Sequence, residues 1–284
     1  MLIGKIKTLK YCLGIAAWGK DIQSKKKLFY TELLNHLDFA RAGLRKKVSQ
    51  MLADSVEGNE VTVNLKTKIG KSLVVKYRLN DYSDYQSLGE CLGTMYEIPG
   101  IEIDYFIDGG ANIGFFGINL LSKKVFKEAI LIEPNPHNVK LLNINVGAFE
   151  HVTVLPVALS GKDGTVVFEF ASSNTGHIKG AVGHEETTSN VLVASRALST
   201  IIPESWNLEK TLLKLDIEGA EYEVLDELLS NKKFPKIIVG EIHDYLGHDG
   251  VGLVSSLEYA GYEVKVTGNG MEGNVCRQIL AIRK

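Results

Sequence analysis

The chain has 284 residues, of which 45% are hydrophobic and 23% are charged, a composition typical of globular proteins. That length accommodates one large domain with an appendage. The net charge of −2 excludes nucleic-acid binding through the charge of the whole molecule, so we expect no nucleic-acid partner. The three cysteines, Cys12, Cys91 and Cys276, show neither a disulfide framework nor a metal-ligand spacing, which favours a reducing compartment and predicts a cytoplasmic protein.

The first 50 residues are strongly basic. They contain eleven Lys or Arg and three acidic residues, a balance of +8, which leaves −10 for the rest of the chain. Such a segment is suited to peripheral contact with an anionic membrane surface or with an acidic substrate, although a solvated helix face is the simpler explanation. The apolar run Tyr11–Trp18 has eight residues, too few to span a bilayer, and predicts a packed or interfacial helix.

Residues 1–80 are predicted to form a helical and β-hairpin extension. Apolar residues recur at helical spacing through residues 22–52. Residues 59–79 alternate in hydrophobicity on either side of Gly70-Lys71, which predicts a hairpin. Residues 81–97 carry helix-capping residues before a short helix. They open the second predicted domain, residues 81–284.

From residue 104 onward, strand and helix patterns alternate, which predicts a mostly parallel sheet with helices on both faces. The candidate strands are 104–108, 129–133, 152–156, 211–216, 236–242, 262–267 and 277–283. The candidate helices are 114–122, 136–146, 220–230 and 251–260. The last two strands are joined only by Gly268–Cys276, too short for a helical crossover, so the terminal strand should be antiparallel and inserted into the sheet.

Residues 157–203 interrupt this alternation. Val166–Phe170 and Val191–Ala194 predict two extra strands, separated by a polar loop. Long insertions of this kind are usually functional, so we expect this one to cover the substrate side.

A glycine turn follows the first strand of the alternating region. Tyr105-Phe106-Ile107 precede Asp108-Gly109-Gly110-Ala111-Asn112-Ile113-Gly114, and a helix follows. Glycines there let the backbone approach a ligand, and the helix start offers free N–H groups. Glu133, nineteen residues after Gly114, ends the next strand, where a carboxylate is placed to accept hydrogen bonds from ribose hydroxyls. These features predict a nucleoside-containing ligand.

Two nucleoside cofactors fit the turn. Gly109-x-Ala111-x-x-Gly114 is close to the dinucleotide fingerprint, so a nicotinamide-dependent oxidoreductase is one candidate. Asp108, however, would face a pyrophosphate unfavourably. It suits the positively charged methionine end of S-adenosylmethionine. A structural turn with Asp108 as a helix cap is the remaining alternative.

Five sequence blocks resemble the FkbM family of class I S-adenosylmethionine-dependent methyltransferases. They are residues 106–117, 132–136 (IEPNP), 155–160 (LPVALS), 213–221 (LKLDIEGAE) and 241–243 (EIH). The resemblance covers about residues 80–284, and LKLDIEGAE is its most specific block. It implies a Rossmann-like α/β fold, whose seven-stranded sheet with an antiparallel last strand agrees with the seven candidate strands. One departure is Ser199 after Leu198, where family members usually carry Asp.

The resemblance also implies roles for the residues near the cofactor. Asp108, Gly110 and Asn112 should line the methionine end of S-adenosylmethionine, and Gly114 should let the helix start approach the ligand. Glu133 should hold the ribose hydroxyls, with Asn135 close by, although capping of the following helix is the alternative for Glu133. Ala158 should contact the adenine ring.

Members of the family are mostly O-methyltransferases acting on hydroxyls of sugars, polyketides and other glycosylated or lipid-linked metabolites. The resemblance therefore implies methylation of a hydroxyl on a sugar, glycan or secondary metabolite, with a sugar or glycolipid as acceptor. Besides the oxidoreductase, a non-catalytic membrane-associated module with the same fold is a second alternative, motivated by the basic first 50 residues.

The predicted catalytic residues are His243, Asp216 and Glu241, which end neighbouring strands. Methyl transfer to an alcohol needs a base, and we expect a neutral His243 to act as that base, with Asp216 or Glu241 orienting it. A divalent metal held by Asp216, Glu241, His243 and Asp244 is a possible but less favoured arrangement. Glu218 and Glu221 are alternatively acidic caps of helix 220–230.

Overall fold

We describe the protein from a computed structural model. The structure describes residues 2–37, 42–79, 81–92, 98–170, 176–179, 189–244, 250–267 and 275–284. The side chains of residues 2–6, 82, 244 and 275 lie outside this description. The chain divides into two compact units. The first comprises residues 1–97, 113–125 and 140–150, and the second comprises residues 98–112, 126–139 and 151–284.

The first unit contains helices and a β-hairpin. Its elements are α1 (Leu2–Ala16), α2 (Ile22–Asn35), α3 (Ala42–Ala53), β1 (Glu60–Lys66), β2 (Ser72–Arg78), α4 (Tyr82–Leu92) and α5 (Phe115–Leu121), with the end of α6 (Pro136–Val146). The helical spacing of residues 22–52 thus corresponds to two helices, α2 and α3.

As predicted, residues 60–78 form a hairpin that turns at Gly70. Gly70 has a φ of 81°. The buried face of the hairpin consists of three cross-strand pairs, Val61 with Tyr77, Val63 with Val75, and Leu65 with Leu73. The period-two alternation of apolar residues therefore fixed the register.

The second unit is built on a seven-stranded sheet. Its strands are β3 (Tyr105–Gly109), β4 (Glu128–Ile132), β5 (Val152–Leu155), β10 (Thr211–Leu215), β11 (Ile237–Asp244), β12 (Tyr262–Thr267) and β13 (Val275–Arg283). The strand order is β12-β13-β11-β10-β3-β4-β5, with β13 antiparallel to both neighbours. The inserted antiparallel terminal strand is thus confirmed, and the fold is the expected Rossmann-like α/β class.

The core of the second unit joins the central strands to two helices, α8 (Glu221–Ser230) and α9 (Gly250–Tyr259). All five residues of β10 are buried. A central parallel strand is covered on both faces, which explains its continuous apolar character. Its polar residues are Thr211 at the start of the strand and Lys214, the charged residue of β10.

The insertion forms a separate four-stranded sheet with the order β6-β9-β7-β8. Its strands are β6 (Ala158–Leu159), β7 (Gly164–Phe170), β8 (Gly176–Ile178) and β9 (Ser189–Arg196), followed by the short helix α7 (Leu198–Ile201). The two predicted strands, within β7 and β9, are present. The sequence did not reveal β6 and β8, because segments of two and three residues carry too little periodicity.

Among the described residues, no helix has the length and apolar character needed to cross a bilayer. The predicted boundary after residue 80 stays a prediction. The first compact unit extends past it, to residue 97, and also takes in residues 113–125 and 140–150.

Candidate active site

The predicted site residues of the second unit other than Ala158 gather where the strand order of the large sheet reverses. From β3 the chain proceeds outward through β4 and β5, whereas from β10 it proceeds in the other direction to β11. β3 and β10 are parallel neighbours, so their carboxyl ends meet at one edge of the sheet. Such a switch point is the usual ligand crevice of open α/β sheets.

Gly110 begins the turn after β3 and can only be glycine there. Its φ is 75°, and a Cβ on it would lie 1.8 Å from the carbonyl oxygen of Asp216. The backbone N–H groups of Gly110 and Ala111 both donate to the carbonyl of Ile132, at 3.1 and 2.9 Å. The turn is therefore held between the ends of β4 and β10.

Lys214 is a buried cation at this switch point, 3% exposed. Its Nζ lies 3.3 Å from Oδ1 of the fully buried Asp108 and 3.6 Å from Oδ2 of Asp216. It also donates to the carbonyls of Gly109 and Gly110, at 3.3 and 2.8 Å. The charge of Asp108 is therefore balanced by the protein's own lysine, and one side chain ties the turn to the end of β10.

Glu133 holds the other side of the turn. Its carboxylate accepts the backbone N–H groups of Asn112 and Asn135, each at 2.9 Å, and the side-chain amide of Asn138 at 3.3 Å. Burial raises the pKa of Glu133 to about 7, although these three hydrogen bonds lower it. Asn112, with a φ of 51°, is thereby fixed in the left-handed region.

The cap of α6 is supplied by Asn135 rather than by Glu133. The Asn135 side-chain oxygen accepts the N–H of His137 at 3.0 Å, and Pro136 occupies the first helical position. Glu133 therefore does not cap the first turn of α6.

Gly114 and Ala158 lie apart from these contacts. Gly114, in the first unit, has a φ of 95°, precedes α5, and would place a Cβ 2.8 Å from Leu142 Cδ1. Ala158 is buried at the start of β6, where it pairs in register with Ser195. Both cofactor roles stay predictions.

Carboxylates surround His243 at the ends of β10 and β11. Its Nδ1 lies 3.1 Å from Glu221 Oε1, and its Nε2 lies 3.6 Å from Glu218 Oε2 and 3.7 Å from Glu241 Oε2. The orienting partner on Nδ1 is therefore Glu221, which the sequence suggested only as a helix cap. Glu221 also accepts the backbone N–H groups of Ile217 and Gly219, at 2.8 and 3.0 Å.

This arrangement changes the protonation expected for His243. Burial lowers its pKa, but hydrogen bonds to Cys276 and Glu221 and the charges of Glu221 and Glu218 outweigh burial and raise the pKa well above its usual value. His243 thus carries a proton at neutral pH, in contrast to the neutral imidazole expected from the sequence. Burial also raises the pKa of Glu218 to about 8, while the charge of His243 lowers it.

The side chains differ in access to solvent. The Asp216 and Glu218 side chains are 30% and 27% exposed, whereas those of His243 and Glu221 are 5% and 0% exposed. Asp216 and Glu218 are therefore accessible to a molecule in solution, whereas His243 is buried.

Two overlapping groups have the geometry to bind a metal ion. Asp216, Glu218 and His243 form one, and Glu241, His243 and Cys276 form the other, with ligand atoms within 4.8 Å of each other in each group. The side chain of Asp244, a ligand in the predicted metal arrangement, lies outside the described residues.

Sequence reasoning missed Lys214 and did not include Glu218 or Glu221 among the catalytic residues, because it gave both only as caps of the following helix. One signal was available for Lys214, a lone cation in an apolar strand predicted to be central, where a charge must find a buried partner. No comparable signal separated the partly exposed carboxylate of Glu218 from the buried carboxylate of Glu221, because both follow the same strand.

Comparisons with known proteins identify the family of the chain. A family model described as Methyltransferase FkbM domain matches residues 108–264. No curated protein matches the chain.

Solved structures similar to the chain include three methyltransferases or transferases. Precorrin-6y C5,15-methyltransferase from Geobacter metallireducens is 16% identical, with 65% of this chain and 82% of that chain covered and a TM-score of 0.37. The putative transferase PH0793 from Pyrococcus horikoshii is 10% identical, with coverages of 86% and 85% and a TM-score of 0.45. Streptococcus pneumoniae Sp1610, a putative tRNA (m1A22) methyltransferase solved with S-adenosyl-L-methionine, is 12% identical, with coverages of 64% and 67% and a TM-score of 0.39.

Proposed function

The chain belongs to the FkbM methyltransferase domain family, and we propose that it transfers the methyl group of S-adenosylmethionine to a hydroxyl oxygen of a sugar, glycan or secondary metabolite. The family supplies the methyltransferase class and the donor. The proposal adds the oxygen and the class of acceptor. The observation that carries it is the cluster of carboxylates around His243 at the switch point of the sheet.

The residues of the turn fit the donor. Gly110 lets the turn pack directly against the carbonyl of Asp216, where any side chain would collide, so the backbone of the turn lies at the carboxyl end of β10. Asn112 and Asn135 are both fixed by Glu133, the predicted ribose-binding residue. When bound, S-adenosylmethionine supplies an electrophilic methyl group on a sulfonium centre.

A hydroxyl acceptor requires a base, because the attacking oxygen must lose its proton. Glu218 is suited to this role, since it is partly exposed and its pKa of about 8 lies near neutral pH. Nε2 of the protonated His243 lies 3.6 Å from Oε2 of Glu218, and Nδ1 of the same ring contacts Glu221. We assign His243 to positioning and to electrostatic support of the carboxylates. Asp216 and Glu241 shape the approach of the hydroxyl.

The chemical identity of the product tests the proposal. Purified protein is incubated with S-adenosylmethionine labelled in its methyl group and with a glycan-containing extract of cells that naturally carry the protein. We expect label in a methyl ether that survives treatment with base and appears as an O-methyl sugar after acid hydrolysis. Label released by mild base would indicate a methyl ester, and label on nitrogen would indicate an amine acceptor. Either result would contradict O-methylation of a hydroxyl.

The donor is tested separately by calorimetric titration. Binding of S-adenosylmethionine and S-adenosylhomocysteine in the micromolar range, without binding of NAD(H), is the expected result. Binding of NAD(H) alone would favour the oxidoreductase alternative.

A further inference from the structure

Helix α1 has one buried face and one apolar face that is open to solvent. Cys12, Ile15 and Ala16 are buried. Leu9 and Leu13, one helical turn apart, are 51% and 55% exposed. Leu2 and Ile6 continue the same spacing in the sequence. The buried residues lie about 90° around the helix from these leucines, so Leu9 and Leu13 form an exposed apolar stripe next to the packed face.

Positive charge adjoins this stripe. Lys7 and Lys10 are exposed, and at 100° per residue they fall on the open side of α1, with Lys10 about 80° and Lys7 about 140° around the helix from the leucines. The helix contains no acidic residue. The nearest acids along the chain are committed elsewhere, because Asp21 caps α2 by accepting the N–H of Ser24 and Glu32 is buried. The basic charge of this segment is therefore directed outward.

We propose that α1 binds the surface of an anionic membrane, with Leu9 and Leu13 at the boundary of the acyl chains and with Lys7 and Lys10 at the lipid phosphates. An α-helix of 15 residues is too short to cross a bilayer, but it is suited to lie in the plane of its surface. A nucleic acid would use the lysines and leave the leucines without a role, so the pairing of both features favours lipid. The surface is independent of methyl transfer.

The experiment uses the full chain and sedimentation with vesicles of phosphatidylcholine, alone or mixed with phosphatidylserine. We expect wild-type protein to sediment with the mixed vesicles and to stay in the supernatant with pure phosphatidylcholine. The double substitution Lys7→Gln/Lys10→Gln should weaken binding about thirtyfold, from the contribution of each lysine near an anionic surface. Leu9→Gln/Leu13→Gln should weaken it at least tenfold, because the apolar contact is lost.

The control variants replace exposed leucine and lysine residues of the second unit by glutamine. Leu192→Gln replaces a leucine that is 71% exposed, and Lys162→Gln/Lys265→Gln removes two exposed charges, so both should sediment like wild type. Circular dichroism checks that every variant is folded.

Three outcomes would overturn the proposal. Wild-type protein could remain in the supernatant with both vesicle types, or the leucine variant could bind as well as wild type. In the third outcome the protein does not bind vesicles but is retained on single-stranded RNA, and this retention depends on Lys7 and Lys10. That result would make the partner a nucleic acid. No step of the assay contains S-adenosylmethionine, so its failure is separate from a failure of the proposed methyl transfer.

Discussion

Individual carboxylates in this site differ in role because their surroundings differ. Glu133 and Glu221 are buried and hold backbone N–H groups, whereas Glu218 is partly exposed and faces a protonated histidine. The sequence placed Glu133 at the end of a strand and Glu218 and Glu221 near the start of the helix that follows β10. It could not assign their roles, since a role depends on which N–H groups and charges come within reach after folding.

Glu133 should make cofactor binding dependent on pH. Its pKa of about 7 means that it is protonated below neutral pH, and only the ionised form accepts hydrogen bonds from both ribose hydroxyls. We expect affinity for S-adenosylhomocysteine to be roughly tenfold weaker at about pH 6 than at about pH 8. Calorimetric titration across this range measures it.

Two variants control this measurement. Glu133→Gln should bind S-adenosylhomocysteine more weakly, and its affinity should not depend on pH. Any pH dependence that remains in this variant comes from titration of the ligand. Glu128→Gln, at the exposed start of the same strand, should behave like wild type. An affinity that does not change with pH would rule out Glu133 as the ribose-binding carboxylate.

Glu218 and His243 can be distinguished by the pH profile of turnover. If Glu218 is the base, the rate should rise as pH increases through about 8, and Glu218→Gln should lower turnover by roughly a hundredfold or more. In His243→Asn the rise should move to higher pH, because the charge that lowers the pKa of Glu218 is gone.

Transfer of labelled methyl groups to the glycan extract measures both effects. Glu223→Gln is the matched control, since Glu223 is exposed in the first turn of α8, the helix that follows Glu218. If His243→Asn abolished the rise in rate instead of moving it, His243 would be the base, as the sequence predicts.

The pairing of β3 with β10 is the element on which the site depends. In their register Lys214 lies opposite Asp108, so a cation and an anion face each other in the interior of a parallel sheet. Strand boundaries were predictable within two residues from hydrophobic periodicity. The reversal of strand order was not predicted, because the alternation of strands and helices leaves the order of the strands open. The partner of Lys214 was not predictable, because inter-strand register in a parallel sheet is set by packing of the covering helices.

Lys214→Met should therefore destabilise the protein by about 3–5 kcal/mol, since it leaves Asp108 buried without its cation. The double variant Lys214→Met/Asp108→Asn removes both charges and should recover most of that loss. Urea denaturation gives the free energies of unfolding. Lys210→Met, which breaks only partly exposed ion pairs, should cost no more than about 1 kcal/mol.

Cofactor binding by the double variant separates stability from recognition. If Asp108 lines the methionine end of the ligand, the recovered protein should still bind S-adenosylhomocysteine poorly. A single variant Lys214→Met with wild-type stability would show that the buried pair does not matter.

At the scale of the whole molecule, the N-terminal residues are part of a compact unit that also takes in later segments of the chain. Lys76 exchanges two backbone hydrogen bonds with the Asn145 side chain, at 2.7 and 2.9 Å, and the ring of Tyr77 contacts that of Phe115. Asn145 also donates to the carbonyl of Ile113 at 2.8 Å. Residues 113–125 and 140–150 therefore depend on the hairpin.

Deleting residues 1–80 should leave a chain that does not fold as wild type does. Buried Asn145 would lose both hydrogen bonds to Lys76, and Phe115 would lose a ring contact, so we expect a thermal midpoint at least about 10 °C lower, or aggregation. Differential scanning fluorimetry of the full and truncated chains measures this. An 81–284 chain with a wild-type midpoint would show that the predicted domain is independent.

Local sequence pattern alone determined the strands, the inserted antiparallel terminus, the glycine turn and the family, because hydrophobic periodicity and short motifs are properties of neighbouring residues. Only the tertiary structure decided that Lys214 balances Asp108, that Glu221 holds a protonated His243, and that the hairpin shares a unit with α5. Each of these joins residues at least 20 positions apart in the chain, and their charges and hydrogen bonds acquire partners only when the chain has folded.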